Sequence, residues 1–193
     1  MECWVVSFGG VCCSHTINQL KQSNIHTNSP DDSDGLKHLY SPASTKYYQQ
    51  IDKFDKIIYI YNDPLLAILS HFNRKWAFAQ HKKITKDPLL KAGVCNSYIE
   101  FEKHTISTGK DVFGCSTHFE EWYNYEHKKP ILFIDVRDEN FEHQIQTFLN
   151  TPVTFKLKQR NSNKNNCKDA MIALYDDVDT KIKNKLQLLR NHS

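Results

Sequence analysis

A single α/β domain built on a mainly parallel sheet is what this sequence predicts, and three observations predict it. Cys3–Phe8, Lys56–Tyr61 and Pro130–Asp135 are short apolar runs rich in β-branched and aromatic residues. They lack the strict alternation of a strand with one wet face, so they read as strands buried on both sides. Helical periodicity follows each run, and strands that alternate with helices imply parallel pairing through crossovers. The length of 193 residues suits one core and is short for two. The expected architecture is therefore a three-layer α/β/α sandwich spanning residues 1–193.

After the first strand, Ser14 to Gln22 is expected to be a helix. Asn24 to Gly35, "NIHTNSPDDSDG", is dense in turn formers and reads as a loop. A short extended piece is expected at Leu36–His38 and a helix near Ser44–Phe54. The strand Lys56–Tyr61 ends at Asn62-Asp63-Pro64, where Asp63 is placed to cap a helix with Pro64 in its first turn. Helical period then runs unbroken from Leu65 to Gln80, and Trp76 and Phe78 are expected in the core. Further helices are expected at Asn96–His104, Val112–His127 and Glu139–Leu149. A basic, asparagine-rich loop, about 157–168, precedes a last helix at about 169–190, whose apolar residues Met171, Leu174, Val178, Ile182 and Leu186 recur at helical spacing.

Bulk properties exclude several classes. A hydrophobic content of 39% with 24% charged residues is ordinary for a globular domain, which argues against disorder. The net charge of +3 is too small to argue for nucleic acid, and it suits a small anionic ligand. Six scattered cysteines show no zinc spacing, so free thiols in a reducing compartment are expected, with no metal. No basic start, apolar leader or membrane-length run is visible, and a cytoplasmic protein is expected.

The stretch "SFGGVCCSHT" leads from the first strand into the first helix. Set against the pattern G-x4-G-K-[ST], Gly9 and Thr16 fit, while Ser14 and His15 stand where glycine and lysine belong. A helix start still offers unpaired N–H groups and a partial positive charge. Two readings stay open: an anion cradle without a lysine, or a tight structural turn.

Three segments in this order resemble the P-loop sulfotransferase family. "GVCCSH" is similar to that family's phosphosulfate loop, Lys-Ser-Gly-Thr-Thr-Trp, with Gly10 in the lysine place, Cys12 in the glycine place, Cys13 and Ser14 in the threonine places and His15 in the aromatic place. Leu36-Lys37-His38 is similar to the family's Lys-Thr-His segment. "DKIIYIYNDPLLAILSHFNR" is similar to its strand, Arg-x-Pro turn and helix, with Asn62 replacing the arginine and Ser70 matching the phosphate-binding serine. Downstream, "FEEWYNYEHKKPILFIDVRDENFEHQIQTFL" resembles the family's Trp-containing helix, next strand and acidic turn.

The resemblance implies a P-loop nucleoside triphosphate hydrolase-like fold. It also implies transfer of a sulfuryl group from 3′-phosphoadenosine-5′-phosphosulfate to a hydroxyl or amine of a small-molecule or carbohydrate acceptor, leaving 3′,5′-diphosphoadenosine. Lys37 is then expected to steady the leaving phosphate and His38 to serve as base. Gly9, Gly10, Val11, Cys12, Cys13, Ser14 and His15 are expected at the phosphosulfate, and Asn62, Ser70, Arg74 and Arg160 around the 3′-phosphate. On an extended strand, adjacent Lys37 and His38 would face opposite sides, so only one would enter the site. The region from about Lys82 to Gly109, with Tyr98, Phe101 and His104, is expected to shape the acceptor pocket. The alternatives are a non-catalytic relative that binds an anion or a protein and, on fold alone, a small-molecule kinase.

Overall fold

A computed structural model describes residues 1–85, 94–156 and 162–191. The chain is α/β: a four-stranded, all-parallel sheet in the order β2-β1-β3-β4 with eight α-helices among the described residues. The strands are β1 (Glu2–Val6), β2 (His26–Thr27), β3 (Lys56–Tyr61) and β4 (Ile131–Asp135). The helices are α1 (Cys13–Gln22), α2 (Tyr48–Asp52), α3 (Pro64–Asn73), α4 (Ala77–Ile84), α5 (Tyr98–Thr108), α6 (Cys115–Tyr123), α7 (Phe141–Leu149) and α8 (Asp169–Asn191). This arrangement is compatible with a three-layer sandwich. No helix among the described residues is long and apolar enough to cross a membrane.

The two central strands are buried almost throughout, β1 from Cys3 to Val6 and β3 from Ile57 to Tyr61, as their unbroken apolar runs require. Their aromatic side chains build the centre of the core. Trp4 meets Trp122 of α6 edge-on with centroids 4.9 Å apart, and Tyr59 meets Phe119 and Phe133 at 5.7 and 5.2 Å. Edge-on pairs set the positive ring edge against a negative face, which adds to plain burial.

Three local expectations are corrected. The segment Asn24–Gly35 contains the short β2, and its ladder continues through a side chain: Asn28 accepts from Val5 N–H at 2.8 Å and donates to Val5 C=O at 2.9 Å. The single helix expected from Leu65 to Gln80 is two, because Lys75 adopts a left-handed φ of 60° and ends α3. Leu36–His38 is a turn rather than a strand: Leu39 N–H bonds back to Leu36 C=O at 3.4 Å.

The strand order has a geometric consequence. The chain leaves β1 toward β2 on one side and leaves β3 toward β4 on the other. The adjacent carboxyl ends of β1 and β3 therefore flank a switch point, where open parallel sheets leave a crevice.

Candidate functional site

The turn after β1 is built on glycine geometry and on one buried serine. Gly9, Gly10 and Cys12 all have positive φ, at 92°, 68° and 70°. Gly10 is obligatory, since a Cβ there would lie 2.5 Å from the Ala67 carbonyl oxygen of α3. Ser7 is fully buried, and its Oγ accepts from Gly9 N–H and from the Cys13 thiol, each at 2.9 Å. Gln80 of α4 donates to Phe8 C=O at 2.9 Å and clamps the turn from the other side.

The turn delivers the start of α1 to a cleft of about 780 Å³. Cys12 occupies the N-cap position, no side-chain hydrogen bond caps the helix, and its first turn holds no acidic residue. Neither a capping side chain nor a first-turn carboxylate therefore offsets the partial positive charge of the helix start. Two polar atoms nearby are buried without a hydrogen-bond partner among the described residues, His15 Nε2 and Thr16 Oγ1.

Because Leu36–His38 turns, the alternation of a strand does not apply, and both Lys37 and His38 line the cleft. The turn is held from a distance. Trp4 Nε1 donates to Leu36 C=O at 3.0 Å, Ser7 N–H to Lys37 C=O at 3.1 Å, and Trp122 Nε1 to Leu39 C=O at 3.1 Å. His118 Nε2 also bonds Leu39 C=O at 3.0 Å, which leaves its Nδ1 to accept from Tyr59 OH at 2.9 Å. Four side-chain or backbone donors replace the sheet ladder that the segment lacks.

The Lys37 ammonium donates to Ser14 Oγ at 2.9 Å and to Pro30 C=O at 2.7 Å, which sets it at the mouth of α1. Burial lowers its pKa, although it stays opposed by nearby negative groups, Asp32 among them. His38 Nδ1 donates to Ser7 C=O at 3.0 Å, so the ring lone pair sits on Nε2. Burial pushes the His38 pKa down to about 3, against a smaller upward pull from the Ser7 bond. The ring is neutral at physiological pH.

The far wall comes from α3 and α4. Arg74, Trp76 and Lys83 line it, and Lys83 pairs with Asp32 of the 28–35 loop. Arg74 Nε donates to Ser70 C=O at 2.9 Å. Three cations, Lys37, Arg74 and Lys83, thus face two carboxylates, Asp31 and Asp32, and the helix start adds to the positive side.

Of the residues singled out from the sequence, Gly10, Val11, Cys12, Cys13, Ser14 and His15 line the cleft, as do Lys37, His38 and Arg74. Gly9 supports the turn without lining it. Asn62 and Ser70 are not among the lining residues: the Asn62 side chain accepts from Asp63 N–H at 2.8 Å, and the Ser70 carbonyl accepts from Arg74 Nε. Arg160 lies outside the described residues. Trp76 is corrected from core to surface, with 64% of it exposed, and Phe78 is exposed as well. Tyr98, Phe101 and His104 do not line the cleft; Phe101 is fully buried, with Phe72 at 5.2 Å. Ser7, Gln80, Trp76 and Lys83 carry no motif and are found only through the fold.

A second charged cluster sits at the ends of β3 and β4. Arg137 reaches Asp135 at 2.6 Å and Asp179 of α8 at 2.8 Å. Lys164 reaches Asp63 at 2.8 Å and Asp176 at 2.6 Å, and Tyr61 OH donates to Asp179. Asp63 also caps α3 by accepting from Leu66 N–H at 3.0 Å. Among the described residues, no group of three or more His, Cys, Asp or Glu is arranged to hold a metal ion. Compared with protein-family models, with curated proteins and with solved structures, the chain matches none.

Proposed function

We propose that this chain is a sulfotransferase, folded as a three-layer sandwich of the P-loop nucleoside triphosphate hydrolase kind, that moves a sulfuryl group from 3′-phosphoadenosine-5′-phosphosulfate to a hydroxyl or amine. The observation that carries this reading is the convergence of Lys37 and His38 on the uncapped start of α1 at the switch point of the sheet. The layering is supported by the right-handed rule for parallel crossovers, which with this strand order would send the connections of β1 and β3 to opposite faces.

The residues present fit the sulfate-bearing end of the donor, because a helix start without a side-chain cap and the Lys37 ammonium are what an anion needs there. When bound, the donor supplies an activated sulfuryl group on a phosphate leaving group. His38 Nε2 then takes the proton of the acceptor hydroxyl as the new oxygen–sulfur bond forms. Lys37 steadies the electron pair that stays with the departing phosphate. Burial makes His38 a weak base on its own, and negative charge brought beside it raises its proton affinity.

The 3′-phosphate end fits less well. Asn62 and Ser70 stay out of the cleft, which leaves Arg74 as the assigned cation on that wall. That observation favours a second reading, a relative that holds an anion and does no chemistry.

A thermal shift assay tests both. Addition of 3′,5′-diphosphoadenosine is expected to raise the melting temperature well beyond adenosine 5′-phosphate at equal concentration. No shift at millimolar ligand would sink the nucleotide-binding reading. With labelled donor and a mixture of hydroxylated acceptors, sulfated product is expected, and Lys37→Ala is expected to reduce it by about 10²–10³-fold. A nucleotide shift without any product would select the non-catalytic reading.

A further inference from the structure

Two neighbouring carboxylates of the 28–35 loop are used differently. Asp31 is exposed and accepts from Ser29 Oγ and from Ser33 N–H, both inside the loop. The Asp32 side chain is only 5% exposed, and its bonds leave the loop for two walls of the cleft.

The backbone sets this up. Asp32 has a left-handed φ of 64°, a region that aspartate and asparagine enter more readily than most residues with a Cβ. Asp32 N–H bonds Ser29 C=O at 3.2 Å, and Gly35 N–H bonds Asp32 C=O at 3.0 Å. From that place Oδ1 accepts from Lys37 N–H at 2.9 Å, and Oδ2 accepts from the Lys83 ammonium of α4. Ser7 N–H holds Lys37 C=O, so both backbone polar groups of Lys37 are fixed, and one carboxylate joins them to the far wall. The Lys37 side chain then reaches Ser14 Oγ and Pro30 C=O at the mouth of α1. Around its ammonium stand the Cys13 thiol of α1, Asp31 and Asp32 of the loop and Lys83 of α4, with the His38 ring beside it in the turn. Burial lowers the pKa of Lys37; Cys13, Asp32 and Asp31 oppose that, and Lys83 adds to it.

We infer that Asp32 is a positioning residue of the cleft: it ties the Lys37 backbone to α4 and thereby aims the Lys37 ammonium at the start of α1. It acts through Lys37 and needs no contact with a ligand. Two substitutions separate its contributions. Asparagine keeps an acceptor and the tolerance for left-handed φ while giving up the charge; alanine gives up all three. What Lys37 is aimed at rests on the sulfotransferase reading, whereas the aim itself is open to measurement on the ligand-free protein.

Amide hydrogen exchange followed by NMR reads the Lys37 N–H. Trace acetylation by acetic anhydride over a pH series, followed by mass spectrometry, reads the Lys37 ammonium, with exposed Lys21 as the reference. The amide is expected to be protected in the wild-type protein and in Asp32→Asn, and to lose about tenfold or more of that protection in Asp32→Ala. The Lys37 titration midpoint is expected to move down in Asp32→Asn and up in Lys83→Met, opposite shifts that a loosened turn would not give. Equal amide protection in the wild type and Asp32→Ala, or a midpoint unmoved by Asp32→Asn, overturns the inference. At one concentration, 3′,5′-diphosphoadenosine is expected to shield Lys37 from acetylation in the wild type and less so in Asp32→Ala. Equal shielding in the two overturns the role of Asp32 and leaves the sulfotransferase reading intact. Amide loss and opposite midpoint shifts in a protein that the nucleotide does not shield sustain that role and overturn the sulfotransferase reading.

Discussion

The carboxyl edge of the sheet carries two charged regions that handle charge in opposite ways. At the ends of β3 and β4, carboxylates and cations face one another directly: Asp135 and Asp179 meet Arg137, and Asp63 meets Lys164. Arg137 also lies 5.2 Å from the centroid of the Tyr61 ring, and the whole set ties α8 to the sheet. At the end of β1, the amides that open α1 have no side-chain cap, and the Lys37 ammonium donates to a hydroxyl and a carbonyl while Asp31 and Asp32 stand nearby without a direct bond to it. Charge matched inside the fold holds architecture together. At the cleft, three cations and an uncapped helix start face two carboxylates, so positive charge is left in excess beside the open space.

The two regions are expected to fail in different acid ranges, and this is the largest effect. Burial pushes His38 and His118 down to about 3, each partly offset by its bond to a backbone carbonyl. An unfolded histidine titrates near 6.5, so between these values the unfolded chain binds protons that the folded chain refuses. Stability from both rings is complete above pH 6.5 and is lost as pH falls toward 3. The loss is on the order of 3 kcal/mol for each ring by pH 4. In the β3–β4 cluster, burial would raise Asp179, but hydrogen bonds from Arg137, Tyr61 and Lys183 hold it below the usual carboxylate range. Its contribution is present above about pH 4 and lost only below. Urea unfolding at a series of pH values checks the order, and a flat stability between pH 6.5 and 4 would refute it.

Next in size is removal of the central cation. Arg137→Ala leaves Asp135 and Asp179 facing each other at the strand ends and is expected to cost about 3 kcal/mol. Arg137→Lys keeps the charge without the fork and is expected to recover part of it. Lys37→Ala, on the cleft side, is expected to cost under about 1 kcal/mol, because burial already works against its charge. Equal losses in urea midpoints for the two alanine variants would erase the distinction between anchor and site.

How much of this was legible in the sequence depends on where each instruction resides. The strands β1 and β3 were legible because a strand buried on both faces must be apolar along its whole length, and β4 by the same apolar run, although it is an edge strand whose first three residues are only partly buried. The two-residue β2 was not, since its ladder is completed by the Asn28 side chain, which leaves no periodic trace. The pattern from Leu65 to Gln80 is periodic across the point where Lys75 breaks it, and neither glycine nor proline marks the break. Lys37 and His38 were singled out, yet their joint access to the cleft depends on a turn held by Trp4, Ser7, His118 and Trp122, residues distant in sequence. Trp76 was expected inside as part of one unbroken helical pattern. It stands instead at the break that Lys75 makes between α3 and α4, a feature of backbone geometry.

The smallest effect separates the turn after β1 from an ordinary helix end. Gly10 and Gly109 have nearly the same φ, 68° and 62°. A Cβ on Gly109 would meet nothing within 4 Å, while one on Gly10 would press on the Ala67 backbone. Gly109→Ala therefore measures the cost of left-handed φ alone, about 1 kcal/mol. Gly10→Ala adds the displacement of the turn from α3 and is expected to cost about 1 kcal/mol more. The excess should also appear as weakened binding of 3′,5′-diphosphoadenosine, since the same turn aims the opening amides of α1. If the two variants lose equal stability and Gly10→Ala binds normally, the close approach of turn and helix has no part in shaping the cleft.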